Sequence, residues 1–409
     1  MSTTIAKTPY ALGQRASFWV SAAVVAHTLW TSAAPAVTYP LYAAQWHLTP
    51  TVTTAIFAVY PIAVVTVLLL FGNLSDHIGR RAVMLAGLGA SLLGVLSFAV
   101  ASSVEWVFLG RALMGIGVGL AASPSTAALV EFSAPGQSHR ASSIATAATA
   151  LGAALATLVG GALIQYAPFP MHLNFWFLFL VLGVLFAASW FLPRHTRGDT
   201  SSRWKPNTIG VPREIRQPFI ASAVAVTAAY SLGAIVLSLG AQIARDLIGS
   251  GNALVNGAAI ALFAVTTGVV AVVAKRLPAR HSIVSGGLTL AASMALLVFA
   301  AVERTLPVFL LALATTGAAY SLLFLGGLTL INAHAPVHQR GATLSTIYLI
   351  GYLLMGVIAL ALGVAATAWG LKSALEIGAP GIGLLGLAAA MLSFSNRPAR
   401  RRLVINAAA

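Results

Sequence analysis

Twelve long apolar runs, joined by short polar stretches, set the terms for this chain. A helix needs about 20 apolar residues to cross the hydrocarbon core of a bilayer. Inside lipid the backbone must satisfy its own hydrogen bonds, which leaves helices or closed barrels, and runs of this length are helices. They lie at roughly 17–43, 50–72, 82–102, 105–130, 141–165, 173–192, 218–243, 253–274, 282–301, 306–331, 342–367 and 376–394. The composition agrees: 8% of residues are charged and 59% hydrophobic, against about 25% charged in a soluble domain. The longest polar stretch, 193–217, is basic and contains proline. It reads as a linker between an N-terminal six-helix bundle, 1–192, and a C-terminal one, 218–409.

The formal net charge of +15 invites a nucleic-acid reading, but the placement of the charge excludes it. If the first span runs from inside to outside, all but four of the 23 Lys and Arg residues fall in cytoplasmic segments. The exceptions are Arg111, Arg245, Arg304 and Lys372. This is the positive-inside bias of a multi-pass protein, with both termini in the cytoplasm. With no cysteine, disulfides and thiol or cysteine–metal sites are excluded. The first apolar run is too long for a cleaved signal peptide and reads as a retained signal-anchor span.

The joint between spans 2 and 3 reads Gly72-Asn73-Leu74-Ser75-Asp76-His77-Ile78-Gly79-Arg80-Arg81-Ala82-Val83-Met84-Leu85. Gly72 permits close approach of a helix end and Gly79 a tight turn. Asp76 suits a helix N-terminus, and Arg80 and Arg81 hold the loop in the cytoplasm. The string fills every position of G-x-L-x-D-x-x-G-R-R/K-x-x-x-L and resembles the loop 2–3 motif of the major facilitator superfamily. An internal repeat supports a six-plus-six duplication: Leu129 to Pro135 lies 201 residues before Leu330 to Pro336, and Arg140 lies 200 before Arg340. The loop motif is degenerate in the second half, near Lys275 to Ser282. The resemblance covers the whole chain. It implies an all-α membrane protein with twelve transmembrane helices in two pseudo-symmetric six-helix bundles, and a central cavity lined by spans 1, 4, 7 and 10.

Several polar residues fall inside spans. Arg111 lies about six residues into span 4, within a sequence that resembles the superfamily's R-x-x-x-G-x-G motif. It reads as a cavity charge for an anionic group or for proton transfer, or as a structural partner of Glu105. His27 shares one helical stripe with Thr31, Thr38 and Tyr42, which should face the cavity; His27 is a candidate proton carrier or a hydrogen-bonded core residue. Trp30, Tyr60, Tyr230, Tyr320, Tyr348 and Tyr352 sit inside spans as candidate cavity aromatics. Gly152, Gly160 and Gly161 resemble the span 5 antiporter motif, with Ala156 and Thr157 where Gly-Pro is usual. The resemblance also implies a latch, pairing Arg80 with Glu131 and Asp76 with the start of span 11 near Gly341. No acid lies deep in any span, and no phosphate-binding loop with lysine is present.

These features point to a secondary transporter and not an enzyme. The leading expectation is proton-linked export of a small amphipathic organic compound by a monomer in a bacterial cytoplasmic membrane, with lipid around it. The proton gradient supplies the energy, with no cofactor and no metal. The alternatives are proton-coupled uptake of a small organic anion or metabolite, with Arg111 as its charge partner, and a non-transporting membrane sensor.

Overall fold

A computed structural model describes residues 12–134, 137–193, 210–336 and 339–395. It contains twelve membrane-crossing helices and, among the described residues, no strand. We label them α1 (Gln14–Gln45), α2 (Pro50–Phe71), α3 (Arg80–Ala99), α4 (Val104–Glu131), α5 (Arg140–Tyr166), α6 (Leu173–Trp190), α7 (Arg213–Leu247), α8 (Ala253–Arg276), α9 (Ala279–Glu303), α10 (Leu306–His334), α11 (Arg340–Trp369) and α12 (Leu371–Phe394). Most of the expected linker, along with Pro135 and the basic tail at Arg397 to Arg402, lies outside the described residues.

Helix ends move by a few residues from the apolar runs, because polar residues can complete a last turn at the membrane surface. The clearest case is α7. Arg213–Ile215 forms a short 3-10 turn that runs into the helix, so the element begins five residues before the apolar run. The repeat seen in the sequence has a structural counterpart: Arg140 lies in the first turn of α5, as Arg340 does in α11.

α1 is not one straight helix. It is α-helical over Gln14–Ala33, tightens to a 3-10 turn at Ala34–Val37, and resumes over Tyr39–Gln45. Pro35 and Pro40 each lack a backbone donor, which accounts for the interruption. α7 ends in a wide π turn, Ile243–Leu247.

Two ends of the molecule can be distinguished. The start of α1 lies beside the ends of α4 and α6, where Gln14 Nε2 donates to Ser133 O at 3.3 Å and Leu12 N to Phe191 O at 2.9 Å. That end carries the α2–α3 joint and is called the motif end; the other is called the far end. Arg15, Arg80, Arg81, Arg140, Arg213, Arg216, Lys275, Arg276, Arg280 and Arg340 all sit at the motif end.

Packing separates a buried interior from an apolar exterior. Large side chains such as Leu180, Val184, Val273, Leu288, Ile377, Leu384 and Met391 are exposed. Lipid is the solvent in which such a surface is stable. Within spans, many hydroxyls return to carbonyls one turn back, as in Ser21 to Ser17 O at 2.8 Å, which satisfies them without a partner helix.

Candidate functional site

The loop motif acts first through its backbone. Gly79 adopts φ 91°, a conformation open to glycine and costly for residues with a Cβ, and turns the chain from the short helix Leu74–Ile78 into α3. Gly72 is in ordinary right-handed helical conformation, so its backbone angles do not require glycine. Arg80 and Glu131 form an ion pair at 2.8 Å that ties α3 to the end of α4. Arg81 donates to Leu192 O at 3.1 Å and lies over the Trp190 ring at 5.7 Å, tying α3 to the end of α6. Asp76 does not reach α11. It is exposed in the first turn of the short helix and joins no salt bridge among the described residues. The first turn of α11 is uncovered here: a Cβ on Gly341 would meet nothing within 4 Å. The Asp76 half of the expected latch is therefore unmade in this conformer.

Among the described residues, a set of polar contacts bridges the two halves at the far end. Thr51 N donates to Thr367 Oγ1 at 3.0 Å, and Thr51 Oγ1 donates to Gly363 O at 3.2 Å, joining α2 to α11. Arg245, on the π turn of α7, donates from Nη1 to Pro40 O in α1 at 2.8 Å and pairs with Asp246 at 2.7 Å. Ala253 N in α8 donates to Gln165 Oε1 in α5 at 2.8 Å. Sequence reasoning missed this set. Its one visible signal was Arg245, a charge that breaks the basic pattern.

The span 5 glycines have packing roles. Gly152 lies against the backbone of Ala26 in α1. Gly160 faces Val37 and Asn174, where a Cβ would fall 2.8 and 3.2 Å away. Gly161 faces α8, where a Cβ would fall 2.7 Å from Ala253 O. On the other side of that crossing Gly257 lies against the Thr157 backbone. The sequence departs from Gly-Pro at Ala156 and Thr157, and Thr157 satisfies itself by donating to Ala154 O at 3.3 Å.

His27 is placed differently from its expected stripe. It points to α3, with Nδ1 2.5 Å from Val24 O and Nε2 3.4 Å from Ser91 Oγ. It is buried inside the first bundle and not among the tyrosines. The stripe fails because the 3-10 turn at Ala34–Val37 breaks the 100° register before Thr38 and Tyr42. Thr38 donates to Pro35 O at 2.9 Å and Tyr42 to Met171 O at 3.2 Å. Trp30 packs on Phe177 of α6 with ring centres 6.4 Å apart. Thr31 is fully buried, and its Oγ1 has no partner.

The tyrosines of the second half converge. Tyr230 in α7 lies 6.2 Å from Tyr320 in α10, 5.8 Å from Phe324 in α10 and 4.8 Å from Tyr352 in α11, by ring centres. Tyr60 of α2 and Tyr230 belong to one continuous apolar cluster, against which Tyr320, Phe324, Tyr348 and Tyr352 pack. Offset and tilted ring pairs of this kind add roughly 0.5–1.5 kcal/mol each beyond area burial. Arg111 stands beside this cluster. It is fully buried, with its guanidinium 4.5 Å from the centre of the Tyr60 ring and 5.7 Å from that of Phe57. Its Nη1 donates to Ser32 O at 3.1 Å, and Glu105 is not its partner. The ring faces partly offset the desolvation of the cation.

The family model of the Major Facilitator Superfamily matches residues 19–243. The chain belongs to that superfamily, and its twelve spans make it a multi-pass membrane protein. It is similar to the multidrug efflux pump LfrA of Mycolicibacterium smegmatis, with 33% identity over 173 residues, 41% of this chain. The likeness spans 34% of the pump's length. Solved structures share the fold at low identity. A bacterial homologue of the human lysosomal transporter Spinster, inward-facing and occupied, superposes with TM-score 0.73 at 14% identity, covering 95% of this chain and 97% of that one. The nucleoside transporter NupG gives 0.74 at 11% identity, covering 93% of this chain and 100% of that one. The peptide transporter POT gives 0.75 at 16%, covering 93% and 94%.

Proposed function

We propose that this chain exports a small amphipathic organic compound by alternating access, driven by the proton gradient. The observation that carries the reading is the aromatic cluster where α2, α7, α10 and α11 meet, Tyr60 with Tyr230, Tyr320, Tyr348, Tyr352 and Phe324. Polar-tipped rings offer a sequestered compound large apolar contact with scattered hydrogen-bonding groups. The likeness to an efflux pump supports the outward direction. The basic motif end faces the cytoplasm by the positive-inside rule, which places both termini there and puts the Thr51, Arg245 and Gln165 contacts outside. The protein works as a monomer in a bacterial inner membrane. The conformer described is closed toward the outside, with the Arg80–Glu131 half of the motif made and the Asp76 half free to latch when the molecule turns.

Everted membrane vesicles test the direction. An exporter accumulates its compound in them when an inward-acidic gradient is imposed. Accumulation confined to right-side-out vesicles would instead establish uptake, the reading that Arg111 favours.

A further inference from the structure

We propose that the free edge of Arg111 is the receptor for one carboxylate on the transported compound, so that the protein selects amphipathic acids over neutral and cationic isosteres. This rests on the transporter reading above. A guanidinium presents its donors in fixed directions. In Arg111 one of them, Nη1, is spent on Ser32 O at 3.1 Å. The guanidinium carbon lies over two aromatic rings, Tyr60 at 4.5 Å and Phe57 at 5.7 Å. What remains is the edge formed by Nε and Nη2. Both are buried and neither has a hydrogen-bond partner. These two N–H groups are parallel and side by side, the arrangement that a carboxylate accepts with both oxygens.

Among the described residues, no side chain pairs with that edge. The salt bridges among the described residues, Arg80–Glu131, Arg245–Asp246 and Lys372–Glu376, all lie at helix ends. Glu105 is on the same helix, but six residues separate it from Arg111. That is about 9 Å of rise and a turn of about 120° away from the same face. A buried charge without a counter-charge is strongly unfavourable. An incoming anion neutralises the centre that the empty protein must otherwise carry uncompensated. The neighbouring surface says what the rest of the compound is like. Tyr60 lies directly under the guanidinium and belongs to the same apolar cluster as Tyr230. A carboxylate on Arg111 thus directs an apolar or aromatic body toward the tyrosines.

The test uses the full chain in lipid nanodiscs and three probes of one shape: 1-naphthoate, 1-naphthamide and 1-naphthylmethylammonium. Calorimetric titration should show naphthoate bound about tenfold or more tightly than the amide, and the ammonium weakest, as a bidentate charge-assisted pair requires. Arg111→Gln should abolish the preference for naphthoate over the amide. Arg111→Lys keeps the charge and loses the fork, and should leave only a few-fold preference; it also guards against a glutamine variant that fails to fold. Equal affinities, absence of binding by all three, or a preference that survives in both variants overturns the proposal. Naphthoate counterflow in proteoliposomes reads the transporter assignment separately. Arg111-dependent acid binding without counterflow upholds the receptor and sinks the transport reading.

Discussion

His27 and Arg111 show how one residue type changes meaning with its neighbours. Both are ionisable residues in apolar helices, where function is the default expectation. His27 has partners for both ring nitrogens within its own bundle, Val24 O and Ser91 Oγ, whereas Arg111 has two donors with none. We therefore expect His27→Gln to keep gradient-driven accumulation in vesicles. The variant should lose about 1–2 kcal/mol of stability from the disturbed hydrogen bonds, seen as a lowered unfolding temperature. Loss of accumulation with counterflow intact would return His27 to the role of proton carrier. The Arg80–Glu131 pair is partly exposed, and a double-mutant cycle should find a coupling of about 1 kcal/mol or less. A larger value would mean that the pair belongs to a tighter network.

At the scale of helices, the α5–α8 crossing is a contact of backbones made possible by glycine. Gly257 faces the Thr157 carbonyl and Gly161 faces Ala253 O. In lipid, helices associate through close packing and not through expulsion of water, so small residues matter more here than in a soluble bundle. Gly257→Ala should push the two helices apart, cost about 1–3 kcal/mol and slow transport. Gly183, on α6, has open space where a Cβ would go. Gly183→Ala should be neutral or stabilising by up to about 1 kcal/mol, since alanine is the better helix former. Thermal unfolding of the two variants in detergent checks the contrast. Equal effects would mean that the crossing is looser than the geometry indicates.

Over the whole molecule, closure is a matter of which end the halves touch. The far end is held by polar contacts at three helix pairs, α2 with α11, α1 with α7 and α5 with α8. The chain contains no cysteine, so a paired substitution there is clean. Thr51 Oγ1 and Thr367 Oγ1 lie 2.8 Å apart, close enough for Thr51→Cys with Thr367→Cys to form a disulfide. Oxidation of that double variant should stop transport and reductant should restore it. Undiminished flux in the oxidised protein would show that this end does not open during the cycle.

The amino-acid order alone decided the class of fold. Run length set the number of helices, because a bilayer admits hardly any other element, and charge placement predicted which ends lie together. The α2–α3 joint secured the family, and its Gly79 and Arg80 act within sequence-local or neighbouring-helix geometry that a motif records well. Tertiary structure decided what each interior polar residue does. The His27 stripe failed because two prolines broke the helical register, a deviation that periodicity cannot see until the turn is built. The convergence of Tyr230, Tyr320 and Tyr352 joins three helices spread over some 120 residues of chain, and the contact of Arg245 with Pro40 joins the two halves. Such partners are chosen by packing across the molecule, and packing leaves no local signature in sequence. Asp76, complete as a motif residue, likewise stands apart from α11, a separation that its place in the motif does not reveal.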